Sequence, residues 1–308
     1  MAAVLAGVRA YQEHPYRREL PPPPAVAQIG AVRLLDYGGE GRPAVFVPSL
    51  INPPTVLDLA TDNSLLRWLS DEGVRPLLID WGRPEAEERG LSIDGYIDER
   101  LLPLLTHVPD AAVVGYCLGG TMALAAATAQ PPARLALIAT PWNFSGYDAR
   151  PRAALAQAWS GIAAAATSLG VVPMEMVQPL FWRLDPAGTV AKFERFGRLP
   201  TDSAQARAFV ALEDWANEGP PLSLPAMRQC FEDFFAADAP GNGQWGGDPA
   251  KLRCPILNLV STYDRIVPAA AAPAIGERID IDAGHVGMMV GSRSRELVWR
   301  RLRDWLAL

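Results

Sequence analysis

One cysteine in this 308-residue chain stands where a nucleophile would. Cys117 lies in Gly115-Tyr116-Cys117-Leu118-Gly119-Gly120-Thr121. The apolar run Ala111-Ala112-Val113-Val114 precedes it, and the small, helix-forming run Met122-Ala123-Leu124-Ala125-Ala126-Ala127 follows. Strand, Gly-x-Cys-x-Gly, helix is the pattern of a nucleophile elbow, with Cys in the place usually held by Ser. The turn is tight, and glycine at 115 and 119 lets strand and helix approach without Cβ clashes. Gly120 adds a second small residue at the helix start. The plain alternative is a structural Cys beside a glycine-rich turn, since Cys is among the most buried residue types. Strand, both glycines and helix agree here, which favours the nucleophile.

A Cys nucleophile needs a base, and the base needs an acid to orient it. Around an elbow they follow in the order nucleophile, acid, base. The chain has three histidines. His14 lies in the N-terminal tail. His107 ends a predicted helix, where a His favours the dipole. His285, in Ala283-Gly284-His285-Val286-Gly287, comes after a predicted strand and before the last helix. It is the expected base. Asp264, in Ser261-Thr262-Tyr263-Asp264-Arg265-Ile266-Val267-Pro268, is the expected acid, although Asp also forms turns. Asp280 and Asp282 sit too near His285 in sequence to reach back easily, and are assigned to surface or turn roles. The oxyanion hole is expected from backbone N–H groups, that of Leu118 and one from Leu50 or Ile51. A thiolate paired with His forms near neutral pH. Moving an acyl group from a thioester to Cys replaces one thioester by another, nearly without change in free energy. The site therefore suits reversible acyl exchange with coenzyme A thioesters, and it is also compatible with hydrolysis.

Short apolar strands alternating with helices must carry these residues. Val32–Tyr37, Ala44–Val47, Pro76–Asp80, Ala111–Gly115, Leu135–Ala139, Pro255–Val260 and Arg278–Ile281 read as strands. Helices are expected over Leu65–Glu72, capped from Thr61–Ser64, near Asp94–His107, and over Arg293–Leu306. The alternation predicts an α/β class, an α/β-hydrolase fold with a mostly parallel sheet flanked by helices. It pauses over 141–249, where Ala-rich helical stretches and aromatic clusters suggest an inserted helical cap. The core then covers 29–140 and 250–308. Residues 1–28 are read as a tail with a Pro21–Pro24 spacer and a short amphipathic helix over residues 4–20. The aromatics Trp142, Phe144, Phe181, Trp182 and Trp245 are expected in the core of the cap, against a partner-binding surface as the other reading.

Composition excludes several classes. Net charge is −6 with no long basic run, so nucleic acid is not an expected partner. Three widely spaced Cys argue against a disulfide framework and suit a reducing cytoplasm. Cys230 and Cys254 read as packed small hydrophobes. The N-terminus lacks the features of a signal peptide. No run approaches the roughly 18 apolar residues of a membrane span, so the expectation is a soluble chain with no transmembrane segment. No His, Cys and carboxylate cluster has metal-ligand spacing. No Gly-rich phosphate loop with a Lys is present, so coenzyme A is expected as part of a substrate and no cofactor is expected.

Taken together, these stretches resemble the catalytic subunits of polyhydroxyalkanoate synthases, of the short two-component kind, over most of the chain. The resemblance is carried by Val47-Pro48-Ser49-Leu50-Ile51-Asn52 with Leu57-Asp58-Leu59, by Asn63-Ser64-Leu65, and by Leu78-Ile79-Asp80-Trp81-Gly82. Gly115–Thr121 and Gly284-His285-Val286-Gly287 complete it. It implies that Cys117 is acylated by a 3-hydroxyacyl group from a coenzyme A thioester. His285 would be the general base, oriented by Asp264, and would also activate the acceptor hydroxyl. It further implies that Asn52, Tyr116, Trp215 and Asn217 bind substrate. Asp214-Trp215-Ala216-Asn217-Glu218 follows the family's Trp-Asn motif only in part. The implied partners are an acyl-CoA substrate, a partner subunit or a second copy, and the polymer granule surface, with a cytoplasmic or granule-associated location. A thioesterase or esterase of the same fold, and a non-catalytic granule- or partner-binding protein, are the alternative readings.

Overall fold

The computed structural model describes residues 2–182 and 186–308. Eight strands form one sheet: β1 (Ala25–Ile29), β2 (Val32–Asp36), β3 (Pro43–Val47), β4 (Arg75–Asp80), β5 (Ala112–Tyr116), β6 (Arg134–Ile138), β7 (Ile256–Ser261) and β8 (Glu277–Ile281). Their order across the sheet is β1-β2-β4-β3-β5-β6-β7-β8. The six strands from β4 to β8 in that order pair in parallel. β2 pairs antiparallel with both β1 and β4. This is the mostly parallel α/β sheet that the alternation of strands and helices predicts.

The helices that matter for the site are α1 (Ala2–Gln12), α2 (Leu65–Asp71), α3 (Leu118–Ala129), α4 (Ala149–Leu169), α5 (Met174–Trp182), α6 (Pro186–Phe196), α7 (Ala204–Asn217) and α8 (Arg300–Ala307). Successive strand residues point to opposite faces of the sheet. Val45, Leu77, Ile79 and Val113 face a layer that holds α3. Phe46, Leu78, Val114 and Tyr116 face a layer that holds α2 and α8. Both faces are covered, which is why the central strands are continuous apolar runs. The Ser64 hydroxyl accepts from the Arg67 N–H and caps α2.

The tail differs from the sequence reading. The sheet begins at Ala25, immediately after the prolines and ahead of residue 29. Ala-Val-Ala-Gln-Ile is a weak strand former alone, and pairing with β2 settles its conformation. The N-terminal helix stops at Gln12, because Pro15 cannot donate into a continuing helix. His14, read as a tail residue, is buried and hydrogen-bonds the Thr201 carbonyl oxygen at 2.9 Å. The tail is tied down further by the buried Asp58. Its carboxylate accepts from Arg18 at 3.0 Å, from Arg67 at 2.8 Å and from the Tyr37 hydroxyl at 3.2 Å.

Between β6 and β7 the chain is largely helical, from α4 through α7 to Leu224–Arg228. A two-residue strand pair, Val171–Val172 with Leu222–Ser223, interrupts it; so short a pair leaves no periodicity to read. The helices expected over Asp94–His107 and Arg293–Leu306 each contain a wide turn, at Ile97–Leu101 and Arg295–Trp299. Trp142 and Phe144 are buried, and Trp245 packs on Trp142 and Phe234. For Trp142 and Phe144 this is the core packing expected of them, while Trp245 is half-buried against that core. The side chains of Phe181 and Trp182 lie outside the described residues.

Candidate active site

β5 ends at Tyr116 and α3 starts at Leu118, so Cys117 alone makes the turn. Its φ is 55° and its ψ −131°, a backbone conformation that L-residues rarely adopt. The surroundings hold it there. Its N–H donates to the Ile138 carbonyl at 3.0 Å, and its own carbonyl accepts from the Gly120 N–H at 2.8 Å. The glycines are required by close approach. A Cβ on Gly119 would overlap the carbonyl oxygens of Val47 and Pro48, and one on Gly120 would overlap the Thr140 side chain. With glycine there, α3 drops against β3 and the thiol is presented at the strand ends.

Asp264 follows β7 and His285 follows β8, so neighbouring parallel strands bring them together. Asp264 Oδ2 is 2.6 Å from His285 Nδ1. Its Oδ1 accepts from the N–H groups of Ile266 and Val267 at 2.7 and 2.9 Å, which fixes the carboxylate. The Asp264 carboxylate is fully buried. Cys117 and the imidazole line the same cavity. The Tyr116 ring lies against the imidazole, with centroids 5.2 Å apart. Burial lowers the pKa of His285, but the charges of Cys117 and Asp264 and the hydrogen bond to Asp264 outweigh it. The value rises from 6.5 to about 10. His285 therefore keeps its proton at neutral pH when it faces a thiolate. The competing Asp280 pairs with Arg278, and Asp282 with Arg293, and the carboxylate that meets His285 is that of Asp264.

The loop after β3 carries the other expected residues. The Trp81 indole donates to the Pro48 carbonyl at 3.0 Å and anchors the loop. The Ile51 N–H is engaged by Ser49 Oγ at 3.1 Å. Leu118 stands at the first position of α3, beside the thiol. Asn52 has φ 67°, and its side-chain amide donates to the carbonyls of Trp215 and Ala216 at 3.4 and 3.2 Å. The Trp215 indole returns a bond to the Pro53 carbonyl at 2.8 Å. These residues clasp the loop to the end of α7. The Asn217 amide donates to the Glu213 carbonyl at 2.7 Å, and its Oδ1 accepts from Gln178.

A cavity of about 550 Å³ opens over Cys117, a size typical of small-molecule sites. Ser49, Ile51, Asn52, Tyr116, Leu118, Trp215 and His285 line it; Leu50 instead lines a neighbouring cavity of about 460 Å³. Asn217 lines neither. The wall is mainly apolar, with Phe144, Leu155, Val177, Leu180, Phe231 and Phe235. Polar groups that the sequence reading missed include Tyr147, Asp148, Gln178, Arg265 and Lys192, the last paired with the buried Glu213 at 2.6 Å. All but Arg265 come from stretches between β6 and β7, and no local spacing marks them. Cys230 is buried in the same wall, and burial pushes its thiol up to about 12. Among the described residues, no group of His, Cys, Asp and Glu could hold a metal ion. No helix among them is long and apolar enough to cross a membrane.

Residues 44–300 match the model of an alpha/beta hydrolase family. The chain is also similar to curated poly(3-hydroxyalkanoate) polymerase subunits PhaC. It is 27% identical to that of Haloferax mediterranei over 93% of this chain and 64% of the relative. It is 27% identical to that of Allochromatium vinosum, covering 86% of this chain and 80% of the relative. The chain thus spans less than two thirds of the Haloferax protein's length. Among solved structures, Rv0554 from Mycobacterium tuberculosis superposes with a TM-score of 0.52 at 19% identity, covering 90% of this chain and 93% of that one. At that identity the likeness speaks for the fold alone.

Proposed function

This chain belongs to the alpha/beta hydrolase family, and from that premise we propose that it is an acyltransferase of the polyhydroxyalkanoate synthase kind. The observation that carries the reading is the Cys117 elbow, with His285 and Asp264 in register, in a chain similar over most of its length to polymerase subunits. In this reading the Cys117 thiolate attacks the carbonyl carbon of a 3-hydroxyacyl-CoA. The backbone N–H groups of Leu118 and of the loop at Leu50 hold the oxyanion. The carbon–sulfur bond to coenzyme A breaks, and the departing thiolate takes the proton of the His285 imidazolium. The acyl group is left as a thioester on Cys117. Neutral His285 then removes the proton of an incoming hydroxyl, whose oxygen forms the ester and expels the Cys117 thiolate. Asp264 holds the imidazole in the orientation both steps need. Coenzyme A enters and leaves as part of the substrate, and no bound cofactor takes part.

The apolar cavity supports the transfer, because it favours an organic acceptor over water. In the cell the same reading puts the chain in the cytoplasm, at a polymer granule surface, with a partner subunit or a second copy. The test is to incubate the protein with 3-hydroxybutyryl-CoA, alone and with a partner subunit. Free coenzyme A, the intact mass of the protein and the products are then followed. Coenzyme A release, an acyl adduct lost in Cys117→Ala, and hydroxybutyrate oligomers are expected. Release of monomeric acid alone would make the protein a thioesterase. No release and no adduct would make it a non-catalytic member of the fold.

A further inference from the structure

We propose that Tyr147 recognises the 3-hydroxyl group of the acyl chain bound at Cys117, and so selects hydroxylated over plain acyl thioesters. This rests on the acyl-transfer reading above. Tyr147 lines the cavity that holds Cys117 and His285. Its ring is held on two sides, stacked with Phe144 at 5.9 Å and edge-on to Phe235 at 5.1 Å. The turn before it is fixed as well. The buried Asp238 accepts from the N–H groups of Phe144 and Ser145 at 2.7 and 2.9 Å. A Cβ on Gly146 would overlap the Ala270 carbonyl. The side chain thus has little freedom to seek a partner elsewhere.

Its hydroxyl has no hydrogen-bond partner among the described residues. It is not sealed in the core either: among those residues, Asn258 Oδ1 alone is both sealed and unpartnered. Tyr147 is half-buried and lines the cavity, so its hydroxyl is open to a partner from outside the protein. Burial, reinforced by the charges of Cys117 and Asp264, raises its pKa well above the ordinary phenol value, so it stays a donor at physiological pH. Phe144, Leu155, Phe231 and Phe235 line the cavity with it; of the polar side chains there, Gln178 and Lys192 are engaged by Ala216 and Glu213, and Asp148 and Arg265 belong to exposed residues. A 3-hydroxyacyl group has one polar atom beyond its carbonyl. The carbonyl oxygen belongs to the backbone donors at the elbow, which leaves the 3-hydroxyl for the phenol. A donor built to meet a substrate oxygen rejects an analogue that lacks it, because the donor is then left unpaired.

The experiment compares single-turnover acylation of Cys117 by 3-hydroxybutyryl-CoA and by butyryl-CoA, read by intact mass, in wild type and Tyr147→Phe. The wild type should favour the hydroxylated thioester by about tenfold or more, the scale of one lost hydrogen bond in a specific pocket. Tyr147→Phe should slow the hydroxylated substrate by about tenfold and leave butyryl-CoA within about twofold. Equal losses on both thioesters would assign Tyr147 to the oxyanion or to structure and overturn the proposal. A preference unchanged by the substitution would do the same. The wild-type ratio is an independent reading: no preference for the hydroxyl sinks the idea whether or not the variant folds. Absence of any adduct in wild type overturns the acyl-transfer reading and this proposal together. A wrong ratio with normal acylation overturns this proposal alone.

Discussion

At the scale of single residues, the elbow makes a sharp prediction about Cys117. In most places alanine is more stable than glycine by roughly 0.5–1 kcal/mol. With φ at 55°, that order should invert here. Cys117→Gly should unfold at higher denaturant than Cys117→Ala by about 1 kcal/mol, the scale of left-handed strain. Equal midpoints, or alanine ahead, would show that the turn is not strained. His285 gives a prediction in pH. Its folded pKa, about 10, is above the ordinary 6.5, so the stability it contributes is complete below pH 6.5 and lost as pH rises through 10. Removing the Cys117 charge removes part of that. The urea midpoint should therefore fall less between pH 6 and pH 10 in Cys117→Ala than in wild type, and parallel falls would contradict it. Cys117, Asp264 and His285 were legible because chain order and three histidines left few choices. Tyr147 and Gln178 were not: a phenol and an amide carry no signature until folding puts them in one wall.

At the scale of elements, the fit of α3 against β3 depends on glycine. Gly119→Ala puts a methyl group into the backbone carbonyls of Val47 and Pro48, which no rotamer change relieves. It should cost about 2–3 kcal/mol, as overpacking of a tight interior does. Gly161 is the control. It is exposed in the middle of α4 with open space where an added Cβ would lie, so Gly161→Ala should stabilise by about 0.5–1 kcal/mol. Thermal midpoints of the two variants, moving in opposite directions, are the check. The central strands β3 to β7 were readable from sequence because parallel strands covered on both faces are largely apolar runs. β1 was not, because its two alanines and its polar Gln28 make a strand only beside β2. Wide helical turns such as Ile97–Leu101 also leave no mark on apolar spacing.

At the scale of the whole molecule, Asp58 joins the N-terminal segment to the sheet layer beneath α2. Its carboxylate is buried, while Arg18 and Arg67 remain partly exposed. Asp58→Ala should therefore cost about 2 kcal/mol, less than breaking a fully buried pair. That corresponds to a midpoint lowered by about 5 °C, measurable by calorimetry. A shift under a degree would mean the tail is not held through this residue. The clasp between Asn52, Pro53 and the end of α7 carries a different consequence. Residues 52 and 53 continue directly from the loop at Leu50. An outward swing of α7 would pull on that loop through these bonds, so on the acyl-transfer reading proposed above a displaced α7 would also displace the loop expected to hold the oxyanion.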